Sequence, residues 1–276
     1  MALNEAQRSY LELLKRSLTA AVHQDAYVRW TLGDRSPWHP RRWIAALVLW
    51  TLRRQGWELV QRCPHEELER GTAWPLVGET MVGFARLDNL RTCIERVVEQ
   101  RVPGDLIEAG AWRGGASIFM RGVLKALDVH DRRVWVADSF QGLPRPDRRY
   151  GADAGDRHYR FSQLAVGLQA VKENFRRYGL LDAQVRFVPG WFRDTLPALH
   201  DQRWALIRLD GDMYESTIQA LDALYPQLSV GGYVIVDDGA LAPCLAAVED
   251  FRRRERIADP IEWIDWTGLL WRRESR

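Results

Sequence analysis

The spacing of apolar residues changes near residue 100 of this 276-residue chain. Before that point apolar side chains recur at helical intervals, which predicts amphipathic helices. One stripe comprises Leu11, Leu13, Leu14 and Leu18, and a second comprises Trp43, Ala46, Leu47, Trp50 and Trp57. The proline-containing stretch 33–42 separates the two stripes, and the polar stretch 63–75 predicts a loop. A third helix is predicted from Arg86 to Gln100, before Val102-Pro103-Gly104.

From residue 104 onward, short apolar runs alternate with helical stretches. Strands are predicted at 105–108, 133–138, 184–189, 204–210 and 232–237, and helices at 116–127, 161–178, 214–228 and 242–256. The last residues, 261–273, predict two strands around a turn at Thr267-Gly268. This alternation indicates an α/β fold with a mostly parallel seven-stranded sheet and an antiparallel hairpin at its end. We therefore expect an N-terminal helical region over 1–100, acting as a lid, and a catalytic domain over 101–276.

The amino-acid composition limits the kinds of molecule that this chain is expected to bind. The 39 basic and 37 acidic residues give a net charge of +2, which argues against nucleic acid as a ligand. The longest apolar run, 43–52, is half the roughly 20 residues that a bilayer span needs, and the N-terminus lacks a signal-peptide pattern. Three scattered cysteines form no CxxC pair. We expect a cytoplasmic protein without a membrane partner.

A glycine-rich turn follows the first predicted strand of the catalytic domain. Residues 108–117 are EAGAWRGGAS, and Asp138 ends the next strand. The spacing is neither GxGxxG nor a Walker sequence, so a dinucleotide and a P-loop phosphate are disfavoured. Glu108 would repel a pyrophosphate but could hold an ammonium group, and Asp138 could accept ribose hydroxyls. The loop therefore suits S-adenosylmethionine, unless Glu108 and Asp138 are merely solvated strand ends.

Two later strands end in paired acids. One leads into Asp210 and Asp212, and the other into Asp237 and Asp238. Carboxyl ends of parallel strands share one edge of a sheet, so these carboxylates should meet beside the glycine turn. Hard oxygen ligands without nearby histidine favour Mg²⁺, Mn²⁺ or Ca²⁺ over zinc. The alternative is that Asp212 caps the helix beginning near Tyr214 and Asp238 caps the following turn.

Together these features indicate metal-assisted O-methylation of a vicinal diol or catechol. A divalent ion would hold two adjacent oxygens of the acceptor, and Asp212 would take the proton as general base.

From about residue 80 to its end, the chain resembles the macrocin O-methyltransferase family, which methylates sugar hydroxyls of antibiotic glycosides. The resemblance lies in 79–91, VPGDLIEAGAWRGGASIFMRGVLKA (102–126), 132–147, 185–197, LIRLDGDMYESTIQALDALYPQLSVGGYVIVDD (206–238) and 244–252. It implies a Rossmann-like class I methyltransferase that uses S-adenosylmethionine and Mg²⁺ and forms homo-oligomers. It assigns metal binding to Asp210, Asp237 and Asp238, and catalysis to Asp212 with Asp210. It assigns cofactor contacts to Met81, Glu108, Gly110, Ser117, Asp138, Ser139, Trp191 and Asp210.

One position departs from the family pattern: Asp238 leads directly into Gly239-Ala240, where the family has a tyrosine before glycine. This departure keeps open a catalytically silent cofactor-binding subunit, beside a catechol-type O-methyltransferase acting on free phenols. The amphipathic stretch 41–60 could lie on a membrane, but the resemblance favours a contact with a second subunit. His158 is expected to be a surface histidine, and most of the thirteen tryptophans to pack in the core or at an interface.

Overall fold

A computed structural model describes residues 3–30 and 40–274. Its helices are α1 (Glu5–Leu18), α2 (Pro40–Arg54), α3 (His65–Arg70), α4 (Phe84–Glu99), α5 (Gly115–Ala126), α6 (Leu168–Arg177), α7 (Phe192–Thr195), α8 (Tyr214–Leu224) and α9 (Ala242–Arg254). Its strands are β1 (Ala26–Arg29), β2 (Val60–Cys63), β3 (Asp105–Ala109), β4 (Val134–Asp138), β5 (Val185–Pro189), β6 (Trp204–Leu209), β7 (Leu228–Val236), β8 (Glu262–Trp263) and β9 (Leu269–Arg272). The predicted break at 33–42 lies mostly outside the described residues.

Seven of the strands in these ranges form one sheet in the order β5-β4-β3-β6-β7-β9-β8. The pairs from β5 to β7 are all parallel, and β9 runs antiparallel to both β7 and β8. The mostly parallel sheet and the terminal hairpin are therefore confirmed. The order reverses direction at β3, so the ends of β3, β4 and β6 open a crevice where α/β proteins bind ligands.

Apolar side chains fill both faces of the sheet. On one face α1, α4 and α5 pack together through Leu11, Leu18, Leu87, Ile94 and Phe119, all at most 1% exposed. On the other face α8 and α9 cover β6 and β7. The helices α1 and α4 of the N-terminal region therefore belong to the main core.

The prediction for the segment between α1 and α4 was wrong in two respects. Residues 63–75 contain α3, which ends at Gly71 in the left-handed conformation typical of a helix C-terminus. The strands β1 and β2 pair antiparallel from Ala26↔Cys63 to Arg29↔Val60, in a region predicted to be helical. Each strand has four residues, and their partners lie more than 30 residues away, so local periodicity carries almost no signal for them.

Smaller differences concern element ends. The helix predicted from 161 begins at Leu168, after short 3₁₀ turns at 158–160 and 162–164. β7 begins at Leu228, four residues before the predicted start of this strand at 232. No described helix combines the length and hydropathy of a bilayer span. Cys63, Cys93 and Cys244 are free and buried.

Candidate functional site: an acidic cavity at the carboxyl edge of the sheet

A cavity of about 760 Å³ opens where β3, β4, β6 and β7 end. It brings together nearly all the residues that the sequence singled out: Met81, Glu108, Gly110, Asp138, Ser139, Trp191, Asp210, Asp212, Asp237 and Asp238. Ser117 is not among the lining residues. These residues come from six chain segments, and five of the six lie at the ends of the parallel strands β3 to β7, which explains why they meet.

Gly110 is required by the close approach of two strand ends. Its φ is +96°, and a Cβ at this position would overlap the carbonyl oxygen of Asp210. The backbone N–H of Asp210 donates to Ala109 at 2.9 Å, which holds the two ends together. A residue without a side chain is therefore needed to place Asp210 beside the glycine turn.

Glu108 is 1% exposed, so the alternative of a solvated strand end is wrong for this residue. Its Oε1 accepts from Arg208, and its Oε2 accepts from the hydroxyl of Ser117. Burial raises the pKa of Glu108 to about 7, against the opposing influence of Arg208 and Ser117. Ser117 thus acts behind the cavity wall, by orienting Glu108.

The sequence analysis missed two buried arginines that hold the acids in place. Arg208, the second-last residue of β6, donates to Glu108, to Asp210 at 2.8 Å and to Asp237. Arg86, in α4, donates to the second oxygen of Asp237 and to Asp265 at 3.0 Å. The signal for Arg208 was present in the sequence, because a charged residue interrupts the apolar strand WALIRL.

Negative charge still exceeds positive charge in this cluster. Two guanidinium groups face the five carboxylates of Glu108, Asp210, Asp212, Asp237 and Asp238. Burial, together with repulsion from Asp237, raises the pKa of Asp210 to about 6, and burial with repulsion from Asp212 raises that of Asp238 well above its ordinary value. Such shifts indicate carboxylates that lack sufficient countercharge.

Three of these carboxylates fit a hard divalent cation. Asp210, Asp237 and Asp238 each offer an oxygen, and these oxygens lie within 4.8 Å of one another. Oxygen donors without nitrogen or sulfur are the set that Mg²⁺ prefers. A cation here would also supply the countercharge that Arg86 and Arg208 leave incomplete.

Asp212 lies beside this triad in a strained backbone conformation. Its φ is +59°, and its backbone N–H donates to Asp238 at 3.0 Å. Burial and the charge of Asp210 raise the pKa of Asp212 to about 7, whereas His158 lowers it. Asp212 does not cap α8, so that alternative is wrong. The cap comes from Asp153, whose carboxylate accepts from the N–H groups of Tyr214 and Glu215.

Asp138 holds the glycine turn from the next strand. Its Oδ2 accepts from the N–H of Ala111 at 2.7 Å, and its Oδ1 from that of Phe140 at 2.7 Å. Burial raises the pKa of Asp138, and these backbone donors oppose the shift. The hydroxyl of Ser139 donates to Gly142 at 2.7 Å, which closes the turn after β4.

His158 lines the cavity with a side chain that is 40% exposed, so it is a surface residue, as expected from the sequence, as well as a cavity residue. Its Nδ1 lies 2.6 Å from Asp156 Oδ2, and its ring packs against Phe161 with centroids 5.5 Å apart. The Asp-x-His spacing within the loop after β4 was the only sequence signal for this pair.

The turn after Asp238 requires a glycine at position 239. Gly239 is buried, and a Cβ there would come within 2.6 Å of the Thr267 carbonyl and 2.7 Å of Leu269. The hydroxyl of Thr267 donates to the carbonyl of Asp237 at 3.0 Å. The tight turn therefore seats the paired aspartates against the C-terminal hairpin, and the acidic triad forms without the tyrosine of the family pattern.

Aromatic residues from distant parts of the chain form the outer wall of the cavity. Trp74 and Trp266 both line it, and Trp266 Nε1 donates to the carbonyl of Arg70 at 3.1 Å. Trp74 packs edge-on against Phe161 with centroids 5.9 Å apart. Arg113 anchors the same segment through the carbonyl of Gly78 at 2.7 Å. The segment before α4 is thus tied to the glycine turn.

Comparison with known proteins agrees with this geometry. The family model described as macrocin-O-methyltransferase (TylF) matches residues 7–273. The chain belongs to the macrocin O-methyltransferase family. Its fold and O-methyltransferase activity therefore follow from both the family and the sheet topology, and the fold supports S-adenosylmethionine as methyl donor.

Individual members of this family are similar over almost their whole length. An 8-demethyl-8-(2,3-dimethoxy-alpha-L-rhamnosyl)-tetracenomycin-C 4'-O-methyltransferase from Streptomyces olivaceus is 48% identical over 97% of this chain and 94% of its own. The mycinamicin III 3''-O-methyltransferase of Micromonospora griseorubida is 43% identical over 96% of each chain. The solved structure of the O-methyltransferase NovP superposes with a TM-score of 0.79 at 44% identity, over 98% of this chain and 100% of that one.

Proposed function

We propose that this macrocin-family enzyme transfers the methyl group of S-adenosylmethionine to a hydroxyl of a vicinal diol on the sugar of a glycosylated natural product. Antibiotic or other secondary-metabolite biosynthesis is the setting we infer. The observation that carries the proposal is the acidic cluster around Arg208, which shares one cavity with the glycine turn at Gly110.

The cofactor would lie along the ends of β3, β4 and β5. Glu108 and Gly110 would contact its amino acid part, Asp138 and Ser139 its ribose, and Trp191 its adenine, since all five residues line the cavity. Met81 lines the same cavity, and Ser117 contributes by orienting Glu108.

Asp210, Asp237 and Asp238 would hold Mg²⁺, since their oxygens are the ones that converge. When bound, a hard cation of this kind supplies a positive charge that lowers the pKa of an acceptor hydroxyl and favours chelation by neighbouring oxygens. Arg86 and Arg208 orient Asp237 for this role, because each donates to a different oxygen of its carboxylate.

Asp212 would accept the proton of the reacting hydroxyl. Its backbone is held by Asp238, and its raised pKa lies near neutrality, where a general base is most effective. His158 faces the same cavity and lowers the pKa of Asp212, which favours the ionised base.

The sugar would lie under the aromatic wall of Trp74 and Trp266. Tryptophan offers a flat apolar face together with a polar N–H, which suits the mixed surface of a sugar ring. The name of the tetracenomycin relative describes a rhamnosyl compound methylated at a 4'-oxygen, which supports a glycoside acceptor here. The part of the N-terminal region that we propose as a lid is residues 60–82, which adjoin this wall.

A homo-oligomer and a cytoplasmic location stay predictions. The oligomer is supported by α2, whose Trp43, Ile44, Leu47 and Trp50 are each more than half exposed. Sedimentation velocity of the purified chain measures the subunit number directly.

The proposal is tested by methyl transfer to a panel of glycosylated natural products and free catechols, with Mg²⁺ saturating or chelated. We expect methylation of sugars only, dependent on the metal, and recorded by mass spectrometry. We expect Asp210→Ala to abolish turnover while S-adenosylhomocysteine still binds in calorimetry. Methylation of catechols alone would establish the catechol-type enzyme, and cofactor binding without any methyl transfer would establish the silent subunit.

A further inference from the structure

A buried acid in the C-terminal hairpin is connected to the acidic triad through one arginine. Asp265 lies in the turn between β8 and β9, and its side chain is 12% exposed, while that of Arg86 is 5% exposed. Asp265 Oδ2 accepts from Arg86 Nε at 3.0 Å, and Nη1 of the same guanidinium donates to Asp237. Among the described residues, the lining of the cavity includes Asp237 but not Asp265, so Asp265 would act on a cation there from behind the wall.

Arg86 is held along its whole length, mostly by this turn. Its Nη2 donates to the carbonyl of Gly71 at 3.3 Å, and its guanidinium carbon lies 5.8 Å from the centre of the Trp266 ring. A Cβ built on Gly268 would come within 2.9 Å of both Cγ and Cδ of Arg86, so the stem lies directly against the turn. Each of the three guanidinium nitrogens therefore has a partner, which fixes the position of the planar fork.

The turn itself uses only one of the two oxygens of Asp265. Its Oδ1 accepts from the backbone N–H of Thr267 at 3.0 Å and from that of Gly268 at 2.7 Å, an arrangement common in tight turns. The other oxygen, Oδ2, bonds to Arg86. Because asparagine offers the same Oδ1 to the turn, the turn by itself does not require a carboxylate at position 265.

The charge of Asp265 also changes how Arg86 acts on Asp237. A carboxylate has about four lone pairs, so Asp237 can accept from two arginines and still bind a cation. A guanidinium that faced Asp237 alone would compete with a metal for the negative charge of that carboxylate. Since Arg86 is shared with Asp265, Asp237 keeps more of its charge for the metal.

We propose that Asp265 is a positioning residue for the metal centre, which acts through Arg86 to hold the carboxylate of Asp237 where it converges with those of Asp210 and Asp238. The inference rests on the proposed function, because it assumes that these three acids bind the cation. Replacing the hydrogen-bond partners of metal ligands typically weakens metal binding by about 10- to 100-fold.

The test measures binding of Mn²⁺ alone to the full chain by calorimetry, without substrate. We expect Asp265→Asn, which keeps the turn contacts and removes the acceptor for Arg86, to bind Mn²⁺ about 10-fold more weakly than the wild type. Arg86→Lys keeps the charge but loses the fork that reaches both acids, so it should weaken binding by about as much. The double variant should bind within about 3-fold of each single variant, because both substitutions break the same connection.

Asp182→Asn is the matched control. Asp182 likewise accepts from a buried arginine, Arg121, and from the backbone N–H of Gln184, two residues further along the chain. It precedes β5, and the amino ends of the parallel strands lie at the edge of the sheet opposite the cavity. We expect this substitution to lower the free energy of unfolding in urea without changing the affinity for Mn²⁺.

Mn²⁺ binding within about 3-fold of the wild type, in either Asp265→Asn or Arg86→Lys, would overturn the inference, and so would additive losses in the double variant. An equal loss in Asp182→Asn would overturn it as well. If Asp265→Asn does not fold, Arg86→Lys decides in the same experiment. In all these cases the wild type still binds Mn²⁺ and the proposed function stands, whereas a wild type that binds no Mn²⁺ refutes the metal site and this inference together.

Discussion

The guanidinium of Arg208 lies 2.8 Å from the carboxylate of Asp210, which directly follows the end of the same strand. The same side chain reaches Glu108 on β3 and Asp237 after β7. One buried cation therefore links the ends of three neighbouring strands, and it does so beneath the cavity in which we place the reaction. Its position explains how so many acids share one edge of the sheet.

Removing this cation should destabilise the fold. We expect Arg208→Met to lower the free energy of unfolding by about 3–5 kcal/mol, because Glu108 and Asp210 lose the cation that they contact and Asp237 loses one of its two. Urea unfolding followed by circular dichroism measures the change. Arg253→Met, at a side chain that is 75% exposed, should change it by less than about 1 kcal/mol. Equal effects of the two substitutions would contradict the role given to Arg208.

A side chain at Gly110 should be incompatible with the site. We expect Gly110→Ala to cost about 4 kcal/mol or more, since strain at positive φ is added to the overlap with Asp210. Gly56 has a φ of +79° and nothing within 4 Å of a built Cβ, so Gly56→Ala isolates the strain alone. That control should cost about 1–2 kcal/mol in the same unfolding experiment. A difference of less than about 1 kcal/mol between the variants would show that the close approach is unimportant.

Metal binding should depend on Asp238 in the absence of substrate. We expect Asp238→Asn to weaken binding of Mn²⁺ or Mg²⁺ at least about 10-fold in calorimetry, because it removes one of the three converging carboxylates. Asp201→Asn, at a side chain that is 84% exposed, serves as the control. If the wild type takes up neither ion, or if Asp238→Asn binds as tightly as the wild type, the triad is not a metal site.

The pH dependence of methyl transfer should follow the protonation of Asp212. A general base works only when deprotonated, so kcat/KM should fall as the pH drops through the pKa of Asp212, which burial and the charge of Asp210 raise to about 7 without a metal and which a bound cation lowers. Asp212→Asn should lower kcat about 10²- to 10⁴-fold while S-adenosylhomocysteine binding stays within about 2-fold. A variant with an unchanged rate would exclude Asp212 as the base.

His158 should shift that pH profile. Burial and repulsion from Asp210, Asp237 and Asp156 raise the pKa of Asp212, and His158 opposes these effects. His158→Gln should therefore move the acidic limb of the profile to higher pH. His130→Gln is the matched control, because His130 also pairs with an aspartate two residues before it, on an exposed surface. Both variants are compared with the wild type at the same Mg²⁺ concentration, because a bound cation lowers the midpoint of the acidic limb in all three proteins. An unchanged limb in His158→Gln would rule out this influence.

Much of the candidate site could be predicted because it lies at strand ends, and the sequence shows both where the strands end and that they run parallel. The alternation of strands and helices implies parallel strands, and parallel strands place Gly110, Asp138, Asp210 and Asp237 at one edge. Ser117 was placed on the cofactor by resemblance, but the structure puts it behind Glu108. The small sheet of β1 and β2 was missed because each strand has only four residues and a distant partner.

The sequence by itself determined the α/β class, the edge of the sheet at which the site lies and the acids found there. These features follow from the local spacing of apolar residues and from the alternation of strands with helices, which needs no knowledge of distant contacts. Only the tertiary structure decided how those acids are held. Arg208 meets Glu108 across 100 residues, and Arg86 meets Asp237 across 151. Such pairs depend on strand register and on how α4 packs. These properties arise only when distant segments exclude water together.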